Sequence, residues 1–227
     1  MLYNEFVIGQ IFHILNRGIE KKVIFHTDRD YFRFVCGLHR FNNKNGALRL
    51  YGEPEDYFKS PPSQKRLVNV IKWSLLPNHY HLLVEEVEDG GAIEFTKRIG
   101  NGFTKYVNIK NKRSGYLFQN KAKIIPVEED SHFLYLPFYI DANPIEIIYR
   151  KWKENGIENN DSEGAISFLK AYKWSSFGDY VGLSNFPDVI NKDSFLKLYG
   201  TKEDDYLKYF SEWLVDNSQR GTLTVFD

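Results

Sequence analysis

The chain has one cysteine, Cys36, among 227 residues, so no disulfide framework can form within it. Cys36 lies in an apolar stretch with helical spacing, where a small thiol acts as core filling. No apolar run approaches the roughly 20 residues needed to cross a bilayer. No secretory leader opens the sequence, and a cytoplasmic protein is expected. An excess of either charge is also missing, because 30 Lys and Arg stand against 30 Asp and Glu. A uniformly basic surface is thereby excluded, and a polyanionic partner would have to be met by a local patch. The sequence contains no repeat and no low-complexity tract.

Apolar and aromatic residues are plentiful: 42% of the chain is hydrophobic and 16% aromatic. That is enough for one sizeable core with an appendage. Residues 9–15 read as a strand interrupted by His13, a histidine expected to be satisfied within its strand, and Arg17-Gly18 turns the chain. Asp28 reads as an N-cap for a helix with Tyr31, Phe34, Val35 and Leu38 on one stripe. A short strand is expected at 47–51. Pro54, Pro61 and Pro62 mark 52–66 as an irregular loop, an insertion or a lid. Strands follow at 68–75 and 79–86, separated by a tight turn or bulge at Pro77-Asn78. A helix is expected at 93–109, weakened by Gly100 and Gly102, then a strand at 121–127. The next helix opens on Glu128-Glu129-Asp130, is kinked by Pro137 and is ended by Pro144. Tyr206, Phe210, Trp213 and Leu214 have the spacing of a further helix over 204–215. This order of elements predicts an α+β fold with helices on an antiparallel sheet. The expected division is a main domain over 1–176 and a C-terminal helical appendage over 177–227.

Two stretches carry candidate chemistry. In Pro77-Asn78-His79-Tyr80-His81-Leu82-Leu83-Val84, strand alternation points His79 and His81 to the same side, which makes half a metal site. Alone, so short a pattern is as readily two ordinary histidines. In Phe138-Tyr139-Ile140-Asp141-Ala142-Asn143-Pro144, Tyr139 and Asn143 are four residues apart on one helix face. Alone, these read equally as a core tyrosine and a capping asparagine. Together, and in this order, the two stretches resemble the motifs of single-tyrosine transposases of the HUH type, in particular the REP-associated tyrosine transposases. Asn16-Arg17-Gly18, Gly115-Tyr116-Leu117-Phe118-Gln119 and Tyr172-Lys173-Trp174-Ser175-Ser176-Phe177 extend the resemblance over roughly residues 10–182.

The resemblance implies a ferredoxin-like (RNA-recognition-motif-like) sheet with the histidines on a central strand. It also implies Tyr139 as nucleophile, with His79, His81 and Asn143 as ligands of Mg or Mn. By softness alone, an imidazole-containing set poor in carboxylate would suit Mn or Zn. The implied reaction is cleavage and rejoining of single-stranded or hairpin DNA through a 5′-phosphotyrosine link, which conserves the bond energy without ATP. A phenol ionises near pH 10, so at neutral pH it needs a metal or a base to attack. Family members occur as monomers and dimers, which leaves a homodimer open.

The acid-free run over 97–123 supports a nucleic-acid partner. It holds Lys97, Arg98, Lys105, Lys110, Lys112, Arg113, Lys121 and Lys123, interleaved with Phe103, Tyr106, Tyr116 and Phe118. Cations can track phosphates while aromatic faces stack bases. Taken as a plain helix, the same run is a solvated face with core aromatics. Arg17, Lys21 and Lys22 add a second candidate contact, and Gln119 reads as polar readout or a strand-edge residue. Two competitors remain at this level. One is a domesticated binder of single-stranded or hairpin nucleic acid with little turnover. The other is a metal hydrolase in which His79 and His81 activate water.

Overall fold

The computed structural model describes residues 8–46, 58, 65–157, 161–200 and 202–220. Four strands, β1 (Ile11–Arg17), β2 (Val68–Leu76), β3 (His79–Glu86) and β4 (Lys123–Pro126), form one antiparallel sheet in the order β2-β3-β1-β4. With helix α1 (Asp28–Arg40) between β1 and β2, and α2 (Gly91–Lys110) between β3 and β4, the connectivity is β-α-β-β-α-β, the split arrangement of the ferredoxin-like fold. The α+β class expected from the order of elements is thus the class observed, and β3 is central. The strand expected at 47–51 and most of the 52–66 loop lie outside the described residues.

The sheet is covered on both faces, which is why β2 and β3 read as nearly continuous apolar runs. Tyr80 of β3 packs on Phe34 of α1, and Phe34 in turn meets Phe103 of α2, so α1 and α2 occupy one face. Their packing is close at Gly102, where any Cβ would enter the Phe41 ring. The glycine that weakens α2 as an isolated helix is what lets it dock. Helix α1 begins one residue earlier than its sequence indicates: Thr27 is the N-cap, and the Asp30 carboxylate accepts the backbone N–H groups of His26 and Thr27.

The opposite face carries α3 (Asp130–Ala142). Behind it stand the short α4 (Trp152–Asn155), then α5 (Ser162–Ala171), α6 (Phe177–Tyr180), α7 (Lys192–Tyr199) and α8 (Tyr206–Arg220). Pro137 lies inside α3 and cannot donate to the Phe133 carbonyl. That carbonyl instead accepts the Tyr199 hydroxyl of α7, whose ring stacks on Phe133.

The described residues after 176 share the core of the sheet. The Tyr180 hydroxyl donates to the Ile71 carbonyl at 2.7 Å, at the register shift between Val70 and Lys72, and Asn191 N–H donates to the Val70 carbonyl at 2.8 Å. The irregularity in the sheet is therefore at Ile71, and Pro77-Asn78 is a plain two-residue turn joining β2 to β3. The free edge of β2 is strapped by Trp174-Ser175-Ser176. Leu75 N–H donates to the Trp174 carbonyl at 2.9 Å and Ser176 N–H donates to the Trp73 carbonyl at 2.8 Å. An exposed edge strand would invite pairing with another chain, and this strap closes it.

Candidate active site

β3 is clamped between β2 and β1, and its alternation sends His79, His81 and Leu83 to the α3 face. On β1 the same face carries His13, Leu15 and Arg17, with Leu15 opposite His81 and Arg17 opposite His79. The diagonal neighbour of His81 is then His13, and His13 Nε2 lies 3.0 Å from His81 Nδ1, the two rings stacked 14° from parallel. His79 Nδ1 lies 2.6 Å from the Asn78 side-chain oxygen, so it carries the proton and donates. Each histidine of the pair has its Nδ1 engaged by a neighbour, so ligation of a metal would fall to Nε2. For His81 this requires the Nδ1 proton to be donated to His13. The His79 and His81 rings are 5.1 Å apart, centre to centre.

Burial holds the His81 imidazole well below its ordinary proton affinity, and His79, His13, Lys153 and Arg17 add repulsion of the charged form. A neutral imidazole is the form that ligates a metal.

α3 lays Tyr139 beside His81, its ring edge-on at 6.1 Å between centres. The phenol is fully buried. Its oxygen accepts a hydrogen bond from the Lys153 ammonium at 3.1 Å, and the same ammonium lies 3.6 Å from Glu146. One turn on, Asn143 N–H donates to the Tyr139 carbonyl, which fixes the two residues on a common helix face. Asn143 is fully buried, and both polar atoms of its amide are without a hydrogen-bond partner. An orphaned buried amide costs about 1–3 kcal/mol, so it marks a place that a further group would satisfy.

The donor set fits a divalent ion: two imidazole nitrogens on one strand and an amide oxygen from the covering helix. Among the described residues no group of three or more His, Cys, Asp or Glu is placed to hold a metal. His13 contacts His81 through a ring nitrogen, and the amide oxygen of Asn143 is a neutral donor that could complete such a set.

The turn that carries the histidines is held from outside by the other sequence motifs. Gly18 N–H donates to the Asn78 carbonyl at 2.7 Å and Ile24 N–H to the Pro77 carbonyl at 2.8 Å. A Cβ on Gly18 would strike the Lys22 carbonyl and Ile24. Gly18 also bridges to Phe118, and Gln119 N–H donates to the Arg17 carbonyl at 2.9 Å.

The basic run does not form one surface. α2 packs on the sheet face opposite His79 and His81. On it, Lys97 is exposed beside Glu94, Arg98 holds Glu94 at 2.7 Å and the Asn43 carbonyl at 2.6 Å, and Lys110 holds Asp30 at 2.6 Å. Lys105, Lys112 and Arg113 line a groove at the end of α2. Lys121 and Lys123 lie on and before β4, Lys123 pairing with Leu15, while Gln119 and Arg17 meet at the end of β1. Of the aromatics, Phe103 and Phe118 are buried, and Tyr106 is half-buried with its hydroxyl on Asp30 at 2.8 Å. Tyr116 is 84% exposed.

Two residues of the site were not singled out in the sequence as contributors. His13 interrupts a strand pattern, a signal that pointed to it without assigning a role. Lys153 stands in a polar stretch, Trp152-Lys153-Glu154-Asn155, with nothing local to distinguish it.

No protein-family model matches the chain, and no curated protein matches it. A solved structure described as "Structure of the REP associates tyrosine transposase bound to a REP hairpin" is similar to it at 14% identity, over 84% of this chain and 90% of that one, with a TM-score of 0.49. A likeness of that degree carries no argument about chemistry, which rests here on the site itself.

Proposed function

We propose that the chain cleaves and rejoins single-stranded or hairpin-flanked DNA through Tyr139, with a divalent ion, Mg or Mn, held by His79, His81 and Asn143. The observation that carries this reading is the meeting of a lysine-bound phenol with a pair of strand histidines on one face of the sheet. A site for water activation alone would have no use for a tyrosine in that position. When bound, the ion would draw charge from a non-bridging phosphate oxygen.

The chain's own groups do the rest. His13 and Asn78 fix the orientation of the ligand imidazoles. Tyr139 loses its proton, its oxygen bonds to phosphorus, and the bond from phosphorus to the 3′ oxygen breaks. The departing oxygen takes up a proton and leaves as a 3′-hydroxyl. The Lys153 ammonium meets the negative charge on the phenol oxygen, both in attack and when that oxygen leaves on rejoining.

Full burial of Tyr139 and Asn143 favours one other reading, a nucleic-acid binder whose site stays shut. Incubation with short single-stranded hairpin oligonucleotides and Mn separates the two. The strand-transfer reading expects a covalent protein–DNA band that Tyr139→Phe abolishes while binding persists. An adduct that survives in Tyr139→Phe would overturn the role of Tyr139. Hairpin binding with no adduct in the unaltered protein would favour the shut binder.

A further inference from the structure

We propose that Tyr116 is a stacking platform for an unpaired nucleotide, set beside a cationic groove at the end of α2 that carries the adjoining phosphates. The inference rests on the DNA-processing reading and adds to it a site on the opposite side of the β1 terminus from the histidines.

Three observations converge on Tyr116. The first is its exposure: at 84%, it is the most exposed of the large hydrophobic residues described. A ring this open leaves its faces available to a stacking partner. The second is rigidity. The flanking backbone is tied down on both sides, by Arg113 donating to the Tyr116 carbonyl at 2.7 Å and Asn108 donating to the Gly115 carbonyl at 3.0 Å. The next two residues, Leu117 and Phe118, are buried, and Ile19 N–H donates to the Leu117 carbonyl at 3.0 Å. A ring held out on a fixed backbone loses little freedom when a base lies on it.

The third is charge. The same loop closes an open groove of about 480 Å³, lined by Lys105, Asn108, Ile109, Lys112 and Arg113. No acidic residue occurs between Glu94 and Glu128. Glu20, on the turn that bridges to this loop, is held by Lys22 at 2.6 Å. Lys97, Arg98 and Lys110, cations of α2 that are engaged with carboxylates, lie outside the groove lining. Lys105 and Lys112 thus leave their charge to the groove beside Arg113, which also braces the Tyr116 carbonyl, and the ring keeps the face that no core contact covers. Phosphates along the groove with one base on the ring is the arrangement that satisfies both. A paired base has both faces covered within its stack, so the platform selects an unpaired one.

The test measures binding of the full chain, in chelator-containing buffer, to a labelled single strand carrying 2-aminopurine and to the blunt duplex of the same sequence. Tyr116→Ala should weaken single-strand binding about tenfold and abolish quenching of the 2-aminopurine, because one base–aromatic stack is lost. Tyr116→Trp should keep both. Duplex binding should be unchanged throughout, and melting temperatures should match because the ring is exposed. If the unaltered protein binds neither this strand nor a hairpin oligonucleotide, the DNA reading fails and the platform with it; binding of the hairpin without the single strand overturns the platform alone. If it binds and Tyr116→Ala binds and quenches equally, the platform is overturned and the strand-transfer reading stands.

Discussion

At the scale of single residues, the proposed nucleophile Tyr139 is bound by Lys153. Its ammonium is almost fully buried, donates to the phenol oxygen at 3.1 Å and lies over the same ring at 4.8 Å. A charge held there acts only when the phenol becomes anionic, so its loss should lower the rate and spare DNA affinity. Lys153→Met keeps the length and the apolar stem. It is expected to slow adduct formation about 10²-fold, the usual effect of deleting one electrostatic stabiliser. Lys153→Arg should recover part of the rate, and the KM for the oligonucleotide should stay within about twofold in both. Single-turnover kinetics on a hairpin substrate measure this, and an unchanged rate in Lys153→Met would remove Lys153 from the reaction. The difference between Lys153 and the residues found from sequence is physical. His79 and His81, and Tyr139 and Asn143, are linked by the periods of a strand and a helix, which leave a trace in spacing. Lys153 arrives by tertiary packing from another element, which leaves none, and His13 leaves only a break in a strand pattern.

At the scale of elements, α3 carries the tyrosine and also breaks a rule of helix composition. The kink expected from Pro137 has a specific compensation, the Tyr199 hydroxyl on the carbonyl that Pro137 leaves without its helical donor. Sequence alone shows the broken bond but not the donor that replaces it, because Tyr199 comes from α7, far along the chain. Tyr199→Phe should therefore destabilise the protein by about 1–2 kcal/mol, the penalty of a half-buried carbonyl left without a partner. In a Pro137→Ala background the helix supplies its own N–H, and the same substitution should cost less than about 0.5 kcal/mol. Urea denaturation of the four proteins closes the cycle; equal penalties in both backgrounds would mean that the hydroxyl does not serve the broken turn. The basic run is divided in space for the complementary reason. Its charges are contiguous in sequence, yet α2 turns its far side to the histidines, and Arg98 and Lys110 brace α1 and the loop after it.

At the scale of the whole molecule, the helices after residue 176 are joined to the sheet through buried polar groups. Lys72 of β2 meets Asp141 of α3 at 2.8 Å, and Asp141 also accepts from Tyr206 at 2.5 Å and from Ser176 at 3.1 Å. The Lys72 ammonium lies 3.1 Å from the centre of the Tyr180 ring and 3.9 Å from that of Tyr206, and burial lowers its pKa to about 8. Beside them Asp179 accepts Phe186 N–H at 2.9 Å, and burial raises its carboxyl to about 6. In the unfolded chain that carboxyl titrates near its ordinary value of 3.8. Between these two values the folded protein binds the extra proton, so this group stabilises folding at low pH and loses that effect as pH rises through 6. Asp179→Asn cannot ionise and removes the dependence. The stability of Asp179→Asn minus that of the unaltered protein should grow by on the order of 2–3 kcal/mol between pH 4 and pH 7, read from urea midpoints at each pH. Lys72 acts on a separate window: its depressed pKa makes folding more favourable as pH rises from about 8 towards 10.5, and leaves the lower range untouched. Parallel curves for the two proteins between pH 4 and pH 7 would mean that water reaches Asp179 in the folded state. The body of described helices after residue 176 would then be a loosely seated appendage, free to part from the sheet and uncover Lys72 and Asp141. Divergent curves mean that it is sealed to the sheet, and that α3, with Tyr139 on it, is held from both sides.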